Sequence, residues 1–506
     1  MGVPCSAQIQ DIRNKEETNM PCTTLLVGKA VSYDGSTLMA RNEDSPAGKF
    51  NAKKFIVVKP EDQPRKYQSV ISKCVVELPD NPMRYTAMPN ADPSQGIWGE
   101  AGINEANVAM SETETITTNY RVMGADPLVP GGIGEEDFLT LVLPYIHSAR
   151  EGVLRLGALL EQYGTYEKNG IGFQDVDEIW WLETIGGHHW IAKRVPDDEV
   201  VVMPNQQGID YFDLVDAFGD KKEHLCSADL LAFIKDNHLD LTLTEEREEA
   251  LEEDRLFDCR SAFGSHDDAD HTYNTLRAWY MLRYLAPFTH QWEGQDVEYT
   301  PESDDLPWSI TPERKVTVED VKYLLSSHYQ GTVYDPYSRK GQEVPHTHYR
   351  PIGINRTNFL ACTQLRPYMP KDRMAVEWIA EGCNVYNAFV PFYTNVDRTP
   401  EYLAKTGALP DTNEFYWANR LIGALADAHY GQCANLIERY QNAVGAKAYA
   451  LLKKYDGQPG KAEPKDLEAA NEEMAVMVRE ETQAVLGKVL FVASNGMKNG
   501  FARSDA

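Results

Sequence analysis

Cysteine is sparse, with eight in 506 residues and no CxxC pair, which excludes both a disulfide framework and a structural zinc ribbon. Positive charge is short as well. Only 49 Lys and Arg stand against 77 Asp and Glu, a net charge of −28, so the basic footprint that a nucleic-acid backbone requires is missing. No run of 18 apolar residues is present, which excludes a helix able to cross a membrane. The first 21 residues, MGVPCSAQIQDIRNKEETNMP, carry no apolar centre of a secretion signal. There is no GxSxG, no HExxH and no GxGxxG after a strand, and GQPGK (457–461) lacks the leading glycine of a phosphate loop. His188-His189 and His346-Thr-His348 are the only close histidine pairs. No carboxylate or third histidine stands at a spacing that would complete a metal site beside them, so neither a metal nor a cofactor is expected. With 42% hydrophobic residues the chain is an ordinary globular one, expected to be soluble and cytoplasmic.

Residues 1–21 are polar, without periodicity, and read as a leader outside the core. The character changes at Cys22. CTTLLVGKA (22–30) and TLMARNED (37–44) are strand candidates joined by the Asp34-Gly35 turn, a β-hairpin that sets Cys22 opposite residues near Asp44. Further strands are expected at 54–58, 69–78 and 103–115, then a second hairpin over 177–195 turning at Gly186-Gly187, and a strand at 199–206. A helical stretch spans 135–164, divided by Pro144. Residues 226–258 read as helical, with EEREEALEED (245–254) a solvated charge run. Helical spacing recurs over 415–430, 434–455 and 465–486, so the chain turns helical from about 413. Strands and hairpins with helices inserted and appended make an α+β protein.

One cysteine stands apart. Cys22 follows the leader directly and opens a strand. If the Pro21–Cys22 bond is cut, a thiol and a free α-amine belong to one residue. An α-amine titrates near 7.7–8.0, so at neutral pH it can serve as a base without any histidine. The thiol needs only a neighbouring cation to gain thiolate character. Cys5 precedes no strand and is not followed by anything like the RNED of 41–44.

The segment CTTLLVGKAVSYDGSTLMARNED resembles the opening of the N-terminal-nucleophile (Ntn) cysteine dipeptidases, the dipeptidase A family, which is related to the choloylglycine hydrolases and penicillin V acylases. GINEANVAMSETETI (102–116), DHTYNTLRAWY (270–280), YRPIGINRT (349–357), FVPFYTNVDRTP (389–400) and FYWANRLIGALADAH (415–429) resemble further segments of that family in the same order. The similarity covers about 22–490. It implies an Ntn-hydrolase four-layer αββα sandwich with additional helices toward the C-terminus, formed by residues 22–506 after removal of 1–21. It implies that Cys22 is the nucleophile and its freed amine the general base. Arg41 and Asp44 match the arginine and aspartate beside that cysteine, where a guanidinium supports thiolate character and a carboxylate positions the ammonium. Asn205 resembles the asparagine that donates to the oxyanion. Arg277 resembles the second active-site arginine, although Leu276 stands where the dipeptidases have proline. Thr113-Glu114 occupy the place where the acylases supply another oxyanion asparagine, which leaves a second oxyanion donor unassigned.

The implied reaction is hydrolysis of dipeptides through a Cys22 thioester. It follows autocatalytic cleavage, in which the thiol attacks the Pro21 carbonyl and water resolves the thioester. Starting translation at Met20 would not remove the need for cleavage, since Pro21 would still block the amine. A substrate ammonium calls for a carboxylate, with Glu112, Glu114 and Glu183 as candidates. The implied partners are the dipeptide and further copies of the chain in a homo-oligomer, with no nucleic acid and no membrane. Two alternatives stay open: an acylase of the same fold acting on penicillin V or a conjugated bile acid, and a non-catalytic acidic interaction protein.

Overall fold

The computed structural model describes residues 22–46, 49–242, 256–338 and 348–497. The 1–21 leader with Cys5, the acidic run 245–254 and His346 lie outside these residues. The strands of the two main sheets are β1 (Cys22–Val27), β2 (Thr37–Asp44), β3 (Ala101–Ile103), β4 (Ala109–Glu114), β5 (Asn169–Gln174), β6 (Ile179–Thr184), β7 (Trp190–Arg194), β8 (Val200–Met203), β9 (His224–Cys226), β10 (Ser309–Ile310), β11 (Thr357–Leu365), β12 (Ala375–Glu381) and β13 (Val390–Tyr393). One sheet runs β10-β8-β1-β2-β11-β12-β13 and the other β9-β7-β6-β5-β4-β3. The helices that cover them are α1 (Glu135–Val142), α2 (Ala149–Tyr163), α3 (Leu276–Leu285), α4 (Val318–Leu325), α5 (Phe415–Asp427), α6 (Tyr430–Asp456) and α7 (Pro464–Asn495). The fold is α+β.

Alternation along β1 and β2 sorts the core. Leu26 and Met39 pack toward the second sheet, against Ile103, Ala109 and Trp181. Leu25, Val27, Leu38 and Ala40 point the other way, into a core shared with α3 to α7. The outer face of the second sheet, with Met110, Phe173, Trp180 and Leu182, receives Phe138 and Leu139 of α1 and Val153, Leu156 and Leu160 of α2. Two sheets therefore share one apolar layer, and each carries helices on its far side.

The β1–β2 hairpin forms as expected. Its register sets Cys22 against Glu43 and Val27 against Leu38, and Gly35 takes φ +84, which a side chain would resist. Pro144 interrupts the helical stretch, leaving α1 and α2 around a short 3₁₀ turn (Leu143–Tyr145). Three expectations need correction. Of 103–115, Ile103 ends β3 and Ala109–Glu114 form β4, because the Asn104 side chain accepts from the N–H groups of Ala106 and Val108 and turns the chain between them. Of 69–78 only Val75–Glu77 is strand, since Glu136 Oε1 accepts from the Val70 N–H and Oε2 from the Ile71 N–H, drawing both off the ladder. Within 226–258 the described helix is Leu230–Asp236, and Leu256–Asp258 is a strand paired with Tyr211–Asp213. α5 buries Phe415, Tyr416, Trp417 and Ile422, so its aromatic stripe is core. No helix among the described residues is long and apolar enough to cross a membrane.

Candidate active site

Cys22 is the first residue of β1 and is fully buried. Because the register pairs Cys22 with Glu43 and Thr24 with Arg41, these four side chains share one face, whereas Thr23, Asn42 and Asp44 share the other. Each face carries its own polar network.

On the first face, Arg41 Nη2 donates to Cys22 Sγ at 2.8 Å. The same guanidinium pairs with Glu100 through Nη1 and with Glu135 through Nη2. Lys53 Nζ stands 2.6 Å from Glu43 and 3.2 Å from Glu100. None of these charged side chains is solvent exposed. Ions so far from water persist only when paired and hydrogen-bonded. Burial raises the cost of the Glu100 charge, but Lys53 and Arg41 outweigh it and hold its pKa below the usual carboxylate range. Burial and then the Glu100 charge push Glu43 up to about 7. Burial pushes the Cys22 thiol up to about 12; Arg41 opposes this, while Glu100, Asp44 and Glu43 add to it. A thiol so raised keeps its proton at neutral pH.

On the second face the main chain of Cys22 is clamped. Its N–H donates to Asn205 Oδ1 at 3.2 Å. Arg277, on α3, spends all five of its N–H groups here. Nε donates to Tyr273 O, Nη1 to Cys22 O and Thr23 Oγ1, and Nη2 to Asn205 Oδ1 and Asn274 Oδ1, at 2.5–2.9 Å. Asn274 in turn grips the Asn205 backbone reciprocally, accepting from its N–H and donating to its carbonyl, both at 3.0 Å. The carbonyl end of the Asn205 amide is thus committed to Cys22 and Arg277, which turns its NH₂ end away from them.

Cys22, Arg41, Asn205 and Arg277 therefore form one connected cluster. Leu276 sits at the junction of a π-helical turn (His271–Thr275) and α3, so Arg277 projects from a helix rather than a loop. Asp44 occupies the far face. Its carboxylate pairs with Arg350 and accepts from Thr357 Oγ1. Tyr273 bridges the two arginines, its ring 5.3 Å from Arg277 and 5.0 Å from Arg350. A cleft of about 390 Å³ is lined in part by Tyr273 and the buried Arg350.

The three carboxylates considered for a substrate ammonium are in different situations. Glu183 accepts from the N–H groups of Gly208 and Ile209 and from Trp181 Nε1, so it holds the loop that follows Asn205. The Glu114 side chain lies outside the described residues. Glu112 is fully buried, and together with Glu100 and Glu135 it offers one oxygen each, all within 4.8 Å of one another. This is the set of carboxylates among the described residues that stands close enough to hold a cation. His188 and His189 both bond Asp126 through Nδ1, and Asp126 Oδ2 also accepts from both of their N–H groups, so the pair belongs to a turn.

Thr23, Glu100, Glu135, Asn274 and Arg350 were not singled out from the sequence. Asn274 had a signal, since it precedes Arg277 by three residues and so shares its helix face. Glu100 and Glu135 had none, because they reach Arg41 from segments 59 and 94 residues away.

The model of peptidase family C69 matches residues 21–443. The chain is 53% identical to a protein named dipeptidase from Bifidobacterium longum (strain NCC 2705), with 96% of this chain and 100% of that protein covered. It is 54% identical to a probable dipeptidase A from Streptococcus pyogenes serotype M3, covering 96% and 100%. It is 42% identical to dipeptidase A of Lactobacillus helveticus, covering 93% and 96%. Likeness of this extent, spanning the cluster around Cys22 and nearly every residue on either side of it, makes the chain a member of peptidase family C69 and a hydrolase.

Proposed function

We propose that the chain is an N-terminal-nucleophile dipeptidase whose catalytic unit is residues 22–506, released by autocatalytic cleavage after Pro21. In the cleavage, the Cys22 thiol adds to the Pro21 carbonyl, the C–N bond breaks, and the proton passes to the leaving amine. Water then hydrolyses the thioester, which leaves Cys22 with a free thiol and a free α-amine. In turnover that amine takes the thiol proton as Sγ attacks the carbonyl of the dipeptide's first residue. It gives the proton to the departing amine, and a water deacylates the thioester.

The observation that carries this reading is that Cys22 is held at both reacting positions by different side chains, Sγ by Arg41 and N by Asn205. An internal structural cysteine needs neither. A thiol raised to about 12 also needs a base beside it, and the amine of the same residue is the nearest one available. Arg41 steadies the developing thiolate, Arg277 fixes the Cys22 carbonyl, and Asn205 offers its NH₂ end to the oxyanion. Asp44 acts through its charge and through Arg350. Two facing sheets with helices outside each support the αββα sandwich of Ntn hydrolases. The names of the relatives favour a dipeptide substrate over a penicillin or bile-acid amide.

The test is mass spectrometry of the purified chain with a substrate panel of dipeptides, penicillin V and a conjugated bile acid. Loss of residues 1–21 and dipeptide hydrolysis are expected, and Cys22→Ala should abolish both. A Cys22→Ala chain that still cleaves dipeptides would refute the mechanism, and hydrolysis of only the non-peptide amides would refute the substrate.

A further inference from the structure

Resting on the dipeptidase reading, we propose that Glu112, with Glu100 and Glu135, forms the subsite that receives the α-ammonium of the substrate and limits cleavage to the first peptide bond. The first ground is an unanswered polar group. Glu112 is fully buried, and neither of its carboxyl oxygens has a hydrogen-bond partner. Leaving such a group unpaired is costly, so a native structure that keeps one calls for an explanation. Its oxygen lies within 4.8 Å of oxygens from Glu100 and Glu135, so it faces a cluster that is already anionic.

The second ground is charge. Arg41 and Lys53 are the cations paired into this network, and they face Glu43, Glu100 and Glu135 before Glu112 is counted. The triad is buried, so the surplus is met by protons on Glu43 and Glu112 or by an incoming cation. Burial and the Glu100 charge push the Glu112 pKa far above the usual carboxylate range, so without a ligand the proton is held. An ammonium entering the triad would let that proton go and would supply the N–H donors that the empty carboxyl lacks.

The third ground is length. Cys22 Sγ and Glu135 Oε1 bond the same nitrogen, Arg41 Nη2, so they stand no more than about 5 Å apart. In a peptide the α-nitrogen lies about 2.5 Å from the carbonyl carbon of its own residue. With Sγ about 3–3.5 Å from that carbon in an attack geometry, an ammonium that touches Glu135 can present the first carbonyl to the thiol.

The experiment compares kcat and KM for alanyl-alanine and N-acetyl-alanyl-alanine in the wild type and in Glu112→Gln, with chain mass recorded for each preparation. The wild type should prefer the free dipeptide by at least about a hundredfold. Glu112→Gln should lose about ten- to a hundredfold of that preference, chiefly through KM, the size expected for one charge-assisted contact. A processed Glu112→Gln chain with the wild-type preference overturns the proposal. Should that variant not fold, the wild type decides alone, since equal hydrolysis of the acetylated and free peptides overturns it. Activity abolished by EDTA and restored by a divalent cation also overturns it, in favour of a metal. A wild type that cleaves neither peptide refutes the dipeptidase reading instead.

Discussion

Arg277→Lys keeps a positive charge at the clamp on Cys22 and removes the geometry. All five guanidinium N–H groups are used, on Tyr273 O, Cys22 O, Thr23 Oγ1, Asn205 Oδ1 and Asn274 Oδ1. A lysine ammonium has three N–H groups on one atom and cannot reach acceptors spread around the edge of a planar guanidinium. At least two buried acceptors therefore lose their partner. At about 1–3 kcal/mol each, the variant should be destabilised by roughly 2–6 kcal/mol. Two of the five acceptors belong to Cys22 and Asn205, so the carbonyl and nitrogen of Cys22 lose their fixed positions. A shift on the order of 1 Å there should lower kcat/KM by about a hundredfold or more. A pH effect should accompany it. Burial, with Arg350 adding to it, pulls the Arg277 pKa down to about 9, and the same surroundings acting on lysine's lower starting value bring it near neutrality. Above neutral pH the unfolded chain keeps the lysine proton and the folded chain does not, so the variant should regain stability relative to the wild type as pH rises while losing the activity that depends on the charge. Guanidinium denaturation followed by tryptophan fluorescence, with dipeptide hydrolysis between pH 6 and 8.5, measures all three. A variant within about 0.5 kcal/mol of the wild type and within twofold in kcat/KM would show that the guanidinium is not holding Cys22.

Two further predictions concern the scaffold. Glu377, buried in β12 with Thr86 Oγ1 donating to its Oε2 at 2.9 Å, has its pKa pushed up to about 7 by burial. Between about pH 4.5 and 7 the unfolded chain ionises this residue and the folded chain does not, so its contribution to stability falls by up to about 3 kcal/mol as pH rises. Glu377→Gln removes that slope, and its stability relative to wild type should be greater at pH 8 than at pH 5.5; equal differences at the two values would contradict the assignment. At Gly28, just past the end of β1, an added Cβ would overlap the main-chain carbonyls of Pro196 and Asp197, and the Gly28 N–H bonds Glu199 O at 2.9 Å. Gly28→Ala should therefore cost about 1–3 kcal/mol in chemical denaturation, by separating β1 from the chain that leads into β8. No loss would mean that the end of β1 gives way around the added methyl group.

The hairpin that presents Cys22 was legible because its causes are local. An Asp-Gly turn between two strand-forming runs sets a register, and the register brings the RNED segment beside Cys22. Strand alternation even sorts that segment, putting Arg41 on the thiol's face and Asp44 on the other. The break at Pro144 and the C-terminal helices were readable for similar reasons, a missing donor in one case and a sustained 3.6-residue period in the others. The turn at 104–108, between β3 and β4, escaped because one side chain, Asn104, makes it within a stretch whose composition otherwise suits a single strand.

What the chain determined by itself was the local chemistry: a cysteine opening a strand, an arginine two registers away on the same face, and a pattern of segments shared with a peptidase family. Only the tertiary structure decided what surrounds them. Glu100 and Glu135 meet Arg41 because β3 and α1 belong to the second sheet and its covering layer, which dock against the first through apolar contacts such as those of Leu26, Met39 and Trp181. That docking buries carboxylates which would be ordinary surface groups in an extended chain. The balance of charge around Cys22, and the empty carboxyl of Glu112, follow from desolvation at that interface rather than from any spacing in the sequence.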